Sequence, residues 1–217
     1  MKAYSGRDEE FRERLGSYED FVKSIPRSNP LRRLIGVKQF GTHGGLDPLE
    51  HTYNVLMLLT TDDFELEIER LTRPVSEILR VAVKYHDIGK LRGAFNILHS
   101  MHSAPIAEEI LTRSEEYGEE EFTRDEIILI VKLILTHDML GRLTQRFIPI
   151  ELALEALTPP DGFDIKTEDM LSMHYRIAKA DVASIPMLKD RVWQIERMYV
   201  VLKEEVSLEW HISKRRI

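Results

Sequence analysis

The chain has 217 residues and no cysteine, which excludes disulfides, thiolate metal ligands and a cysteine nucleophile. Its length is that of one domain and allows burial of about 70% of the extended surface, so folding requires no structural metal. The net charge of −7 argues against an extended nucleic-acid surface. No long apolar run or apolar N-terminal segment occurs, which predicts a cytoplasmic protein that does not enter a membrane.

Residues 1–29 are predicted to form one amphipathic helix that packs on the rest of the domain. Its apolar side chains recur every three or four positions, at Phe11, Leu15, Tyr18, Val22 and Ile25. Pro26 ends this pattern. A short helix over 30–37 and a glycine-rich loop over 41–45 follow. Asp47 and Pro48 then have the residue types of an N-cap and a first helical position, which predicts a helix that runs to about residue 60.

The rest of the chain also has helical periodicity and shows no strand alternation, internal repeat or linker. Further helices are predicted near 73–87, 103–117, 123–138, 149–157, 167–184 and 188–210. Thr123 and Glu126 form a capping-box pattern at the start of one of them. The sequence therefore predicts an all-α chain with a main domain over 30–185, followed by a C-terminal helix and basic tail over 186–217.

Histidine and aspartate residues recur at the ends or on the apolar faces of these helices. They are His51, the adjacent pair His86 and Asp87 in KYHDIGK (84–90), His102, His137 and Asp181. Imidazole and carboxylate are ligands of hard and borderline divalent cations, and helix ends in a bundle can converge on one cavity. A charged aspartate on an apolar face is costly unless it is paired or bound to a cation. Spacing alone leaves a metal site and unrelated core residues as open alternatives.

The order His51, His86-Asp87, Asp181 resembles the signature of the HD-domain superfamily of metal-dependent phosphohydrolases. The resemblance covers residues 30–185 and extends to the local contexts HTYNVL, KYHDIGK and AKADVAS. Residues 34–56 are also similar to the segment that opens the HD domain of bacterial CCA-adding tRNA nucleotidyltransferases. No nucleotidyltransferase motif precedes it, so a free-standing HD domain is expected.

The resemblance implies an HD-type helical bundle with a metal site in a central cavity. It implies that the first divalent cation is bound by His51, His86, Asp87 and Asp181. A second cation would use His102, His137 and Asp138, with Asp87 as the bridging carboxylate. Asp138 stands where binuclear members have a second histidine, which leaves one or two cations open. The cation itself, among Mn, Fe, Co, Ni, Mg and Zn, also stays open.

Catalytic roles follow from the same resemblance. Asp87 would orient the attacking water, and Lys90 would place a positive charge on a phosphate oxygen. The alternative for Lys90 is an exposed lysine favoured by the helix dipole. Three further residues are candidates for binding phosphate, with solvated surface side chains as the alternative: Arg92, Arg142 and His43.

Two more histidines are left with alternative assignments. His99 is an alternative to His102 as a ligand, although the context HSAPIAEEIL favours His102. His174 is expected in the core or behind the ligands.

The function implied is hydrolysis of a phosphomonoester or phosphodiester of a nucleotide-like small molecule by metal-activated water. Similarity to the HD domains of CCA-adding enzymes favours 2′,3′-cyclic or 2′-phosphate chemistry. Two alternatives are a metal-binding regulatory or RNA-associated HD module with little turnover, and a di-iron oxygenase of the HD fold. Retention of all four ligands of the first cation favours the enzyme. The expected partner is a small phosphorylated substrate, and a homo-oligomer is left open.

Overall fold

The structure, a computed structural model, describes residues 6–39, 45–64, 66–92 and 98–214, with side chains as far as residue 207. In these ranges every regular element is helical and none is a strand, which confirms the predicted all-α class. The α-helices are α1 (Arg7–Leu15), α2 (Tyr18–Ser24), α3 (Pro48–Leu58), α4 (Val75–Tyr85), α5 (His99–Thr112), α6 (Ser114–Tyr117), α7 (Arg124–Thr136), α8 (Met139–Thr144), α9 (Ile150–Ala156), α10 (Thr167–Ser184) and α11 (Val192–Lys214). Short 3₁₀ helices lie at Pro30–Leu34, Ile88–Arg92 and Lys189–Arg191.

The prediction of one continuous N-terminal helix is wrong, because the chain breaks between α1 and α2. Gly16 adopts a φ of 67°, a left-handed conformation that ends α1 and that glycine accepts without strain. Ser17 and Asp20 then form a capping box that starts α2 in a new direction. The apolar spacing across the break is therefore produced by two short helices.

The main core lies between α3, α4, α5, α7 and α10, and it brings the ends of these helices together. Its fully buried side chains include Leu79 and Val83 of α4, Ile110 of α5, and Leu133 of α7. Helix α7 begins at the predicted capping box, in which Thr123 accepts from the backbone of Glu126 and the Glu126 carboxylate accepts from the backbone of Thr123. A smaller apolar cluster joins α8, α9, α10 and α11.

His174 of α10 lies inside the protein and is fully buried, as the sequence suggested. Its Nε2 is 3.2 Å from the hydroxyl of Thr136, which itself donates to the carbonyl of Lys132. The Thr136 oxygen therefore accepts from His174 Nε2–H. Burial lowers the pKa of His174 to about 3, and the nearby Lys132 adds to this shift.

The buried neutral ring of His174 should make the stability of the fold depend on pH. Its pKa rises from about 3 in the folded state to about 6.5 in the unfolded state, so between these values the unfolded state binds more protons. The stabilising contribution is complete above the unfolded pKa and is lost as the pH falls towards the folded one. We expect a loss of about 2 kcal/mol of unfolding free energy between about pH 7.5 and pH 5.

Urea titrations of the wild type and of His174→Gln at both pH values measure this contribution. The variant should lose this part of the pH dependence, whereas His102→Gln, at a more exposed position, should retain it. An identical pH dependence in the wild type and His174→Gln would contradict the assignment.

Candidate metal centre

Helices α4 and α7 end on histidines held in the same way. His86 and His137 are the C-cap residues, and each ring Nδ1 lies 2.7 Å from the carbonyl oxygen three residues earlier, that of Val83 or Ile134. Each of these carbonyls also accepts from the backbone N–H of the same histidine, at 3.4 or 3.5 Å, and its second lone pair accepts from the ring. Each Nδ1 therefore carries the proton, and each Nε2 presents a lone pair. The two ring centroids lie 5.0 Å apart, and both histidines offer a ligand atom to one group with Asp87 in which these atoms lie within 4.8 Å of one another.

His51 of α3 is fixed by a third acceptor, Ser184, which the sequence analysis missed. The Ser184 hydroxyl donates to the carbonyl of Asp181 at 2.6 Å, so its oxygen accepts from His51 Nδ1 at 3.1 Å. The Nε2 of His51 then faces the Asp181 carboxylate at 2.8 Å. The only sequence signal for Ser184 is its position three residues after Asp181, close to one turn along α10.

Two carboxylates converge on these ring nitrogens. The Oδ2 of Asp87 lies 3.6 Å from the Nε2 of both His51 and His86. The Oδ1 of Asp181 lies 4.0 Å from His86 Nε2, in addition to its contact with His51. The structure therefore brings together the four residues that the HD resemblance names as first-cation ligands. Two overlapping groups have ligand atoms within 4.8 Å of one another: His51, His86 and Asp181, and His86, Asp87 and His137.

The donor set fits a divalent cation. The Nε2 of His86 is buried and has no hydrogen-bond partner among the described residues, although it faces two carboxylates. A bare nitrogen lone pair opposite a carboxylate oxygen is repulsive unless a proton or a cation lies between them. Neutral imidazole nitrogens and carboxylate oxygens without thiolate are the ligands of Mn, Fe, Co, Ni and Zn, and the carboxylates also suit Mg.

Charge favours a cation over a proton at this cluster. Burial alone raises the pKa of Asp87, but nearby positive charge, first that of Lys90, holds that pKa well below its usual range. Burial likewise opposes ionisation of Asp181, and the close contact with His51 holds its pKa below the usual range. Burial lowers the pKa of His86 to about 3. At neutral pH the carboxylates are thus ionised and the His86 ring is neutral.

Lys90 is buried beside Asp87, with 6% of its surface exposed, so the alternative of a solvated surface lysine is wrong. Its Nζ lies 2.5 Å from Asp87 Oδ2 and 2.7 Å from the side-chain oxygen of Gln39. The Gln39 amide in turn donates to the carbonyl of Leu46 at 3.2 Å. Lys90 therefore orients Asp87, and Gln39 in turn holds Lys90. No sequence pattern indicated this role for Gln39.

The α5 histidine at the cluster is His99, whereas the sequence analysis favoured His102. His99 Nε2 lies 3.2 Å from Asp87 Oδ1 and 3.1 Å from His137 Nε2. His102 lies one turn further along α5, where its Nδ1 is 3.4 Å from a guanidinium nitrogen of Arg92. Helix α5 begins at His99, four residues before the predicted start, and its first turn faces Asp87.

Gly89 positions the start of α5 relative to Asp87 through a close backbone contact. Its N–H donates to the Ser103 hydroxyl at 2.8 Å. A Cβ atom at this position would lie 2.2 Å from the carbonyl oxygen of His99 and 2.6 Å from the backbone nitrogen of Ser103. Only glycine lets the 3₁₀ turn after Asp87 approach α5 this closely, and the approach places His99 opposite Asp87.

The remaining predicted residues are placed as follows. One oxygen of Asp138 accepts from Arg142 Nε and Nη2 at 2.9 and 2.8 Å, and its other oxygen is buried without a hydrogen-bond partner in the described part of the chain. Asp138 also acts electrostatically on His99. Arg142 is thus paired with Asp138, and Arg92 contacts His102. His43 lies outside the described residues.

Substitution of the two α5 histidines should give different results. We expect His99→Ala to weaken divalent-cation binding about tenfold or more, because its ring contacts both Asp87 and His137. His102→Ala should bind the cation as the wild type does. Titration calorimetry with Mn²⁺ or Co²⁺ after chelator treatment measures both. A larger effect for His102→Ala would contradict the placement.

No helix in the described ranges is long and apolar enough to cross a membrane. The chain matches no protein-family model, no curated protein and no solved structure. Its function is therefore inferred from the site and from the motifs that form it.

Proposed function

We propose that the chain is a metal-dependent phosphohydrolase with an HD-type site, which cleaves a phosphomonoester or phosphodiester of a nucleotide-like small molecule. One observation carries the proposal: the Nε2 atoms of His51 and His86 converge on the ionised carboxylates of Asp87 and Asp181, while acceptors hold both Nδ1 atoms. The resemblance of the same four residues to the HD signature supports the reaction class.

The charge of the cluster suits a phosphate ester. With the histidine rings neutral, as cation ligands must be, the two carboxylates and the Lys90 ammonium leave one net negative charge. One divalent cation changes this to one net positive charge. When bound, such a cation neutralises phosphoryl charge and makes water more acidic. Lys90 keeps the Asp87 carboxylate in one orientation, so that the carboxylate can accept a hydrogen bond from the attacking water.

The two carboxylate oxygens of Asp87 face different histidines, which supports a second cation. Its Oδ2 faces His51 and His86, whereas its Oδ1 faces His99. A second cation would use the Nε2 atoms of His99 and His137, together with the unpartnered oxygen of Asp138. Burial lowers the pKa of His99 as well, so its ring is neutral and able to bind a cation at neutral pH.

Elemental analysis and a substrate panel test the proposal. The wild type, reloaded with Mn, Co, Ni, Mg or Fe, should cleave at least one phosphomonoester, phosphodiester or 2′,3′-cyclic nucleotide. Asp87→Ala should lose this activity, whereas Asp63→Ala, which removes a surface carboxylate paired with Arg176, should retain it. The proposal fails if no ester is cleaved under any loading, or if Asp87→Ala is as active as the wild type.

The same panel separates the alternatives. Oxygen consumption by the iron-loaded protein without ester cleavage would favour the di-iron oxygenase. Stoichiometric cation binding with neither activity would favour the regulatory module.

A further inference from the structure

Arg92 and His102 form a pair of nitrogen donors next to the candidate metal centre. Arg92 ends the 3₁₀ helix that begins directly after Asp87, and His102 lies three residues after His99 on α5. Side chains three residues apart on a helix lie on one side, with Cβ atoms about 5–6 Å apart. The pair is therefore about one helical turn from the histidine that contacts Asp87.

The pair offers donors and no acceptor. A guanidinium carries only N–H groups, so Arg92 donates to His102 Nδ1 across their 3.4 Å contact. The proton of a neutral His102 is then on Nε2, which is a further donor. An arginine fork beside an imidazole N–H is suited to the oxygens of a phosphate.

Arg92 has no acidic partner within the ranges that the structure describes, where no carboxylate lies within 4.0 Å of its guanidinium. Arg142, the other arginine near the cluster, differs because Nε and Nη2 both bind Asp138. An exposed guanidinium without a carboxylate, beside a cluster built for phosphate, has charge available for an anion.

We propose that Arg92 and His102 bind a second phosphate of the substrate, one helical turn from the phosphate at the cation cluster. The inference rests on the proposed phosphohydrolase function and narrows its substrate class to phosphate esters that carry a second phosphate.

The test is equilibrium binding of three inorganic probes to the Mn²⁺-loaded protein at fixed ionic strength: orthophosphate, pyrophosphate and tripolyphosphate. Arg92→Ala should weaken binding of pyrophosphate or tripolyphosphate about tenfold and change orthophosphate affinity less than about twofold. His102→Ala should have the same selectivity with a smaller effect. Arg113→Ala is the matched control, because it removes the same charge from the far end of α5, where Arg113 pairs with Glu109 and Glu116.

The inference is overturned if Arg92→Ala and Arg113→Ala weaken polyphosphate binding equally, or if orthophosphate is weakened as much as the longer probes. It is also overturned if the wild type prefers neither longer probe to orthophosphate. These outcomes are separate from the hydrolase test, because binding needs no turnover. Selective polyphosphate binding without ester cleavage would contradict the hydrolase alone, and ester cleavage without this selectivity would contradict the second phosphate site alone.

Discussion

Replacing Asp87 with asparagine should abolish the proposed phosphohydrolase activity and lower the unfolding free energy of the chelator-treated protein by about 3 kcal/mol or more. The carboxylate is buried and lies 2.5 Å from the ammonium of Lys90, which is itself 6% exposed. Removal of one partner leaves the other charge buried and uncompensated. The same substitution removes the carboxylate that faces His51, His86 and His99.

A double variant separates the stability effect from the functional effect. In Asp87→Asn with Lys90→Met, the buried charge is removed together with its partner, so most of the lost stability should return. Cation binding and activity should not return. Urea denaturation and Mn²⁺ titration of the two single variants and the double variant measure both effects. Asp87→Asn with wild-type stability would contradict the buried pair, and recovery of cation binding in the double variant would contradict the role of Asp87 as a ligand.

Gly89→Ala should destabilise the protein by about 1–3 kcal/mol and also weaken cation binding. The added methyl would lie 2.2 Å from the His99 carbonyl oxygen and 2.6 Å from the Ser103 backbone nitrogen. Both are backbone atoms, so the start of α5 must move. That movement displaces the His99 ring from Asp87 and His137.

Gly141→Ala is the matched control for this effect. An added Cβ at Gly141, inside α8, meets nothing within 4 Å. We expect this variant to be more stable than the wild type by about 0.5–1 kcal/mol, since alanine favours a helix over glycine. Thermal unfolding and Mn²⁺ titration compare the two variants. Unchanged cation affinity in Gly89→Ala would show that the close contact does not position His99.

The elements with strong local signals could be predicted from the sequence. Helix α10 spans the predicted residues 167–184, and α7 begins at the capping box of Thr123 and Glu126. The positions of His86 and His137 at helix ends also follow from where the apolar patterns stop. These features depend on residues only a few positions apart, which is the range over which capping and periodicity act.

The wrong and missing assignments of site residues concern positions that are set by contacts between residues distant in sequence. The packing of Gly89 on Ser103, fourteen residues away in sequence, decides which histidine of α5 contacts Asp87. The local sequence pattern cannot distinguish His99 from His102. Ser184 and Gln39 have ordinary sequence contexts, and their roles appear only when α3 meets α10 and the Gln39 side chain meets Lys90. The break at Gly16 is different, because Gly16, Ser17 and Asp20, which form it, are close together in sequence, and the apolar spacing across them favours a single helix.

The shared ending of α4 and α7 has a consequence for cation affinity. A free histidine must give up side-chain rotation when it ligates a cation, and this ordering weakens binding. His86 and His137 instead lose that freedom when their helices form, because each ring is already tied to the carbonyl three residues before it. The entropy of ordering these two rings is thus part of the folding equilibrium, and a cation bound at this site would meet nitrogens whose orientation is already fixed.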